Sequence, residues 1–216
     1  MPVREIPIGT RAVTGRHARS GARYESSLER DFYELISSDS EVASIDWQPV
    51  KITYRCAQGK VRRYTPDALI VYKKNPVTGL APMPLLVEVK YREDYRLNFH
   101  EFKERFCAAR KYAREHGWRF KVVTEREIRT VRFSNIRFLS GFKDRRANEN
   151  YVKVIKQILI SEHGTTFNKL LYDVAGEDRW KQAEVTPTVW YLIANGQIVT
   201  DLTIPISTSS ILAIPT

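Results

Sequence analysis

Apolar residues at 28, 32, 35 and 36 recur at helical spacing and predict a first helix beginning near Ser26. Ser26 with Glu29 three places on is the order of a capping box, which gives Glu29 a structural role from the outset. From Ile45 the period falls to two. Trp47 to Tyr54 alternates, Gln58-Gly59-Lys60 reads as a hairpin turn, and Val61 to Val71 reads as the returning strand. Asn75 to Gly79 is a loop, and Leu85 to Tyr91 is a short, largely apolar strand. Asn98 to His116 returns to helical spacing through Phe102, Phe106, Ala109 and Ala113, with Gly117 as its stop. Phe120 to Thr124 is a further strand. Helix, strands, helix, strand predicts an α/β core with a mixed sheet over residues 24–140.

After Arg132 the pattern changes. Asn135 to Leu139 is a short apolar piece, and Gly141 to Arg146 reads as a polar linker. Asn148 to Glu162 is amphipathic, with Val152, Ile155, Leu159 and Ile160 on one face. A second helix is expected over Thr165 to about Ala175. A third is expected from Thr186-Pro187, proline suiting a first turn, to Asn195-Gly196. Two short strands, Gln197 to Leu202 and Ser210 to Ile214, complete the order of a winged helix-turn-helix over residues 147–216. Trp180, Trp190 and Tyr191 read as core aromatics rather than base-stacking platforms. Residues 1–23 carry six basic positions broken by glycine and proline, and read as a basic arm.

Composition narrows the partners. Lys and Arg number 35 against 25 Asp and Glu, a formal charge of +10, which favours a polyanion. Arg179, Lys181, Lys169 and Lys156 are compatible with phosphate contact or with a solvated helix face. The two cysteines, Cys56 and Cys107, stand far apart without a CxxC or Cys/His cluster, so reduced thiols are expected rather than a zinc site. No apolar run is long enough to span a bilayer and no signal peptide is visible, so a soluble, cytoplasmic protein with no membrane partner is expected.

The chemistry lies in two strands. Pro66-Asp67 precedes the apolar run Ala68 to Val71, and Leu85-Leu86-Val87 precedes Glu88-Val89-Lys90. Alternation puts Glu88 and Lys90 on one face and Val89 on the other. A carboxylate beside a buried strand is costly unless it is paired or binds a cation. Asp67 and Glu88, with the carbonyl of Val89, would offer hard oxygens to Mg²⁺, for which Mn²⁺ could substitute. Lys90 would orient a water or meet the charge that builds on phosphorus. Solvent-facing Asp67 and a Glu88–Lys90 surface ion pair are the structural alternatives. Spaced this way, PD and ExK mark the restriction-endonuclease-like nucleases.

The wider pattern resembles the TnsA family, the endonuclease subunits of heteromeric cut-and-paste transposases. The resemblance runs through Ser27-Leu28-Glu29-Arg30-Asp31-Phe32, Tyr64-Thr65-Pro66-Asp67, Val87-Glu88-Val89-Lys90 and Val122 to Ile128. It implies that Glu29, Asp67, Glu88 and Lys90 match the catalytic positions, with Glu29 a third metal-binding carboxylate. Capping and ligation by Glu29 exclude each other at any one moment. The family's best-known pattern has glutamine where this chain has Glu88; glutamate is the commoner residue in the wider superfamily. The resemblance further implies 5′-strand cutting of double-stranded DNA at transposon ends. It implies an integrase-type (TnsB-like) partner for the 3′ ends, an AAA+ (TnsC-like) regulator, and a winged-helix-like C-terminal domain. A stand-alone nuclease for defence or repair is the nearest rival. A non-catalytic winged-helix DNA-binding adaptor is another, which the intact set Glu29, Asp67, Glu88 and Lys90 argues against.

Overall fold

A computed structural model describes residues 15–16, 23–24 and 26–215. Two compact units divide the chain, Met1–Ile128 and Arg129–Thr216. Most of the basic arm expected over 1–23 lies outside the described residues; its described parts, β1 (Gly15–Arg16) and β2 (Arg23–Tyr24), pair antiparallel.

In the first unit, α1 (Ser27–Ser37) starts at Ser26, whose Oγ accepts from Glu29 N at 3.1 Å. β3 (Val42–Trp47), β6 (Ala68–Tyr72), β7 (Leu85–Val89) and β8 (Arg119–Val123) form one sheet in the order β3-β6-β7-β8. The first two pairings are antiparallel and β7–β8 is parallel, so the sheet is mixed, as the pattern predicts. Alternation assigns its faces. Ala68, Ile70, Val87 and Val89 pack with Leu28 and Phe32 of α1. Leu69 and Leu86 face the other way, onto Phe102, Phe106, Ala109 and Ala113 of α3 (Phe99–Glu115). Short helices α2 (Arg92–Leu97) and α4 (Glu125–Ile128) follow β7 and β8.

The returning strand expected over Val61 to Val71 is two strands. β4 (Ile52–Arg55) and β5 (Val61–Tyr64) make a separate two-stranded hairpin, and the chain re-enters the main sheet only at Ala68. Pro66 lies in the break; it has no N–H for a ladder, which suits a change of sheet at this point. The hairpin lays Ile52 and Tyr64 against the α3 face.

The second unit holds α5 (Val131–Ser140), α6 (Glu149–Glu162), β9 (Thr165–Thr166), α7 (Phe167–Ala175), α8 (Arg179–Ala194) and β10 (Ile211–Leu212). Its core gathers Leu139, Ile155, Leu159, Leu170, Val189 and Leu192. The division before Arg129 puts α5 in this unit, whereas the polar run at 141–146 suggests a later boundary. α8 starts at Arg179, not at Thr186-Pro187. Asp178 caps it by accepting from Trp180 N and Lys181 N at 2.9 and 3.1 Å, and Pro187 lies inside the helix. A proline there costs roughly 3 kcal/mol, and burial of Val185, Val189 and Leu192 around it offsets that cost. The earlier start corrects the reading of Trp180 as core: it sits in the first turn and is 88% exposed. Trp190 does pack inward, stacked on Phe167 with ring centroids 4.6 Å apart.

Of the two C-terminal strands expected, that over Ser210 to Ile214 is found as β10, while that over Gln197 to Leu202 reduces to one bridge, Val199 with Ala213. β10 pairs instead with β9. Gly164, at φ +110°, makes the turn into β9; a Cβ there would lie 3.1 Å from the Leu212 carbonyl. No helix among the described residues is long and apolar enough to cross a membrane.

Candidate active site

β6 and β7 run antiparallel, so the head of β6 lies beside the tail of β7. Asp67, one residue before β6, donates its N–H to Val87 O at 3.0 Å and accepts from Val89 N–H through Oδ2 at 2.7 Å. Asp67 has the parity of Leu69, and Glu88 and Lys90 have that of Leu86. All three therefore belong to the α3 side of the sheet. Lys90 Nζ lies 3.1 Å from Glu88 Oε1 and donates to the Val89 carbonyl at 3.1 Å. The Glu88 side chain is 4% exposed and that of Lys90 28%, so the lysine is the more open of the two to solvent.

Tyr64 completes the arrangement. Its O–H donates to Glu88 Oε2 at 2.6 Å. Burial, then the charge of Glu88, raise the phenol far above its ordinary value, so the hydroxyl keeps its proton. The Arg105 guanidinium lies over the rings of Phe102, Phe106 and Tyr64, 4.2, 5.6 and 5.9 Å from their centroids. In the sequence Tyr64 enters only as part of the Tyr64-Thr65-Pro66-Asp67 run, with no role of its own, and Arg105 does not stand out. Tyr64 becomes visible only once β5 is known to leave the main sheet and fold back over Glu88.

The electrostatics are those of two carboxylates sharing a desolvated place. Burial first, and Glu88 second, raise the Asp67 carboxyl well above the ordinary range, against the opposing pull of Lys90 and of the Val89 N–H. Burial alone would lower Lys90; Asp67, Glu88 and Glu29 outweigh it and raise the ammonium above its ordinary value.

Glu29 stands apart. Its Oε1 accepts from Ser26 Oγ at 3.1 Å, whereas in a capping box the carboxylate accepts from the backbone N–H of the cap residue. Its charge is felt at both Asp67 and Lys90. Among the described residues no three His, Cys, Asp or Glu side chains converge as a ready metal cage. The donors brought together are thus Asp67, Glu88 and the Val89 carbonyl. They suit Mg²⁺ in kind: all are hard oxygens, and Asp67 Oδ1 accepts no hydrogen bond from the described residues. A cation bound beside Asp67 would offset both causes of its raised carboxyl, burial first and the Glu88 charge second. Lys169, a candidate phosphate contact, is instead tied to Glu162 and to Asp173, the latter at 2.8 Å. Cys56 is buried and Cys107 exposed, both as free thiols.

A mixed sheet that sets an aspartate at the head of one strand beside Glu-x-Lys at the tail of the next fits the restriction-endonuclease-like nucleases. Two family models match the chain in succession. The TnsA-like endonuclease N terminal matches residues 39–125, and the TnsA endonuclease C terminal matches residues 127–202. The chain belongs to the TnsA endonuclease family. Asp67, Glu88 and Lys90 fall inside the first match, and Glu29 precedes it. A search of curated proteins finds no significant match.

Proposed function

We propose that this protein is a Mg²⁺-dependent DNA endonuclease that cuts the 5′ strands at transposon ends, as the TnsA-like subunit of a transposase. The observation that carries the reading is the meeting of Asp67, Glu88 and Lys90 on one face at the junction of β6 and β7. Asp67, Glu88 and the Val89 carbonyl would hold the metal. Glu29 is the third carboxylate, available only when its bond to Ser26 opens. When bound, Mg²⁺ would supply Lewis-acid polarisation of the phosphate and a water of lowered pKa.

The chain's own residues do the rest. Tyr64 fixes the Glu88 carboxylate through Oε2. The Val89 N–H fixes Asp67 through Oδ2. Lys90, more exposed than Glu88, meets the charge that develops on the phosphate and orients the attacking water. Hydrolysis in this sense leaves a 5′-phosphate and a 3′-hydroxyl. The second unit, with its order helix, helix, strand, helix, helix, strand, serves as a winged-helix-like module for DNA and for an AAA+ regulator. An integrase-type subunit handles the 3′ ends.

The test is cleavage of transposon-end donor DNA by the full transposase set, with wild type or Asp67→Ala. The expected result is loss of 5′-strand cleavage while 3′ nicking and joining by the partner survive. Unchanged 5′ cleavage by Asp67→Ala overturns the assignment.

A further inference from the structure

We propose that the outer face of the β4–β5 hairpin is the surface on which the DNA backbone flanking the scissile phosphate rests. The proposal deepens the nuclease reading and rests on it. Residues 47–66 contain Lys51, Arg55, Lys60, Arg62 and Arg63 and not one Asp or Glu. All five cations are exposed, and none pairs with a carboxylate among the described residues. A run of cations without a carboxylate of its own is self-repulsive in the free protein and is relieved by a polyanion; of the five, Arg62 opposes Tyr54 and lies on the other face from Arg55 and Arg63.

The register sorts the faces. Ile52 opposes Tyr64, and both are buried toward α3. Thr53 opposes Arg63 and Arg55 opposes Val61, so Arg55 and Arg63 share the opposite, outer face. As diagonal neighbours they lie about 7 Å apart, a spacing that suits successive phosphates of one strand. Val61, 60% exposed, shows that no part of this unit's core covers that face.

The hairpin is also fixed relative to the chemistry. Tyr64, at its end, bonds Glu88, and Asp67 follows three residues later. Near the turn, Ala57 N–H donates to Glu104 Oε1 of α3 at 2.8 Å. Beside β4, a groove of about 780 Å³ toward α3 is of mixed charge, lined by Arg55, Lys103 and Lys111 and by Glu104 and Glu115, so the uncompensated cations are those of the hairpin itself. Cations held at both ends of a short ribbon can set the register of a backbone against Asp67 and Glu88.

The experiment measures binding of a plain DNA duplex in chelator across a salt series. Arg55→Gln with Arg63→Gln is expected to weaken binding by about tenfold and to reduce the log–log salt slope by about 1.8, two contacts' worth. Arg55→Lys with Arg63→Lys should keep the slope, which separates lost charge from lost fold. Lys73→Gln with Lys74→Gln removes the same charge at the far end of β6 and should leave the slope near wild type. A wild-type slope in the double glutamine variant overturns the proposal, as does an equal fall in the β6-end control. If Asp67→Ala still cuts, the nuclease assignment fails while the hairpin measurement stands on its own result.

Discussion

Replacing Tyr64 by phenylalanine removes one oxygen and keeps the ring. The ring that remains would still meet Phe106, whose centroid lies 6.1 Å from that of Tyr64, and Ile52 across the hairpin. Glu88 Oε2 would lose its 2.6 Å donor in a place where the residue is 3% exposed and water cannot readily replace it. A hydrogen bond to a charged group contributes about 1.5–3 kcal/mol, so a loss of about 2 kcal/mol is expected. For a unit of this size that is a fall of roughly 6–10 °C in midpoint. Thermal unfolding followed by circular dichroism measures it. The same change frees Glu88 to rotate away from Asp67. Mn²⁺ affinity, read by calorimetric titration, should therefore fall about tenfold or more, as for other residues that orient metal ligands. Tyr64→Leu should destabilise further, through lost ring packing. A Tyr64→Phe protein with a midpoint within about 1 °C of wild type and unchanged Mn²⁺ affinity would refute the reasoning.

Three further outcomes are expected. In metal-free protein the raised Asp67 carboxyl holds a proton that the unfolded chain has released, so its contribution to stability falls as pH rises from the ordinary carboxylate range through the raised value. Asp67→Asn should therefore unfold at a higher temperature than wild type at neutral pH, and the two should converge below roughly pH 4; parallel curves across that window would contradict the placement. Glu29→Gln keeps an oxygen that can accept from Ser26 and removes the charge. It should leave the midpoint within about 2 °C while lowering 5′-strand cleavage at least about 100-fold; full activity would reduce Glu29 to a cap. In the second unit, buried Asn135 donates to the carbonyls of Leu202 and Ile204 at 2.9 and 2.7 Å. Asn135→Ala should cost about 2 kcal/mol in denaturant unfolding, and an unchanged midpoint would show that water takes over both carbonyls.

The pair Asp67 and Glu88-x-Lys90 is legible in the chain because a period of two is enough to set Glu88 and Lys90 on one face. Their meeting with Asp67 needs only that neighbouring strands run antiparallel. Tyr64 is not legible in that way. Its position depends on the hairpin leaving the sheet, and the alternation of Val61 to Val71 reads equally well as one strand. Pro66 is the available signal, since it cannot donate to a central ladder. In the second unit Pro187 misleads for a related reason. Proline favours a first turn, but Asp178 caps the helix earlier, and the packing of Val185 and Val189 outweighs the break. The exposure of Trp180 follows from that earlier start. The place of Glu29 at the helix start is legible, and the structure displays its contact with Ser26; its ligation of metal belongs to the proposed function.

Register, more than loop length, decides whether this site exists. The connection from β6 to β7 leaves the sheet at the end away from Asp67, so its length does not enter the spacing of Asp67 and Glu88. A slip of one residue in β7 would do far more. Glu88 and Lys90 would turn onto the α1 face, among Leu28, Phe32 and Ile128, and Val87 and Val89 would turn toward Tyr64. Such a slip would bury a carboxylate in an apolar core with no donor, at a cost of several kcal/mol. The apolar side chains of Leu86, Val87 and Val89, which themselves do no chemistry, are thus what hold Glu88 against Tyr64 and Lys90. The hydrophobic pattern of β7 and the polar constellation at its end form one device: the first specifies the register that the second requires.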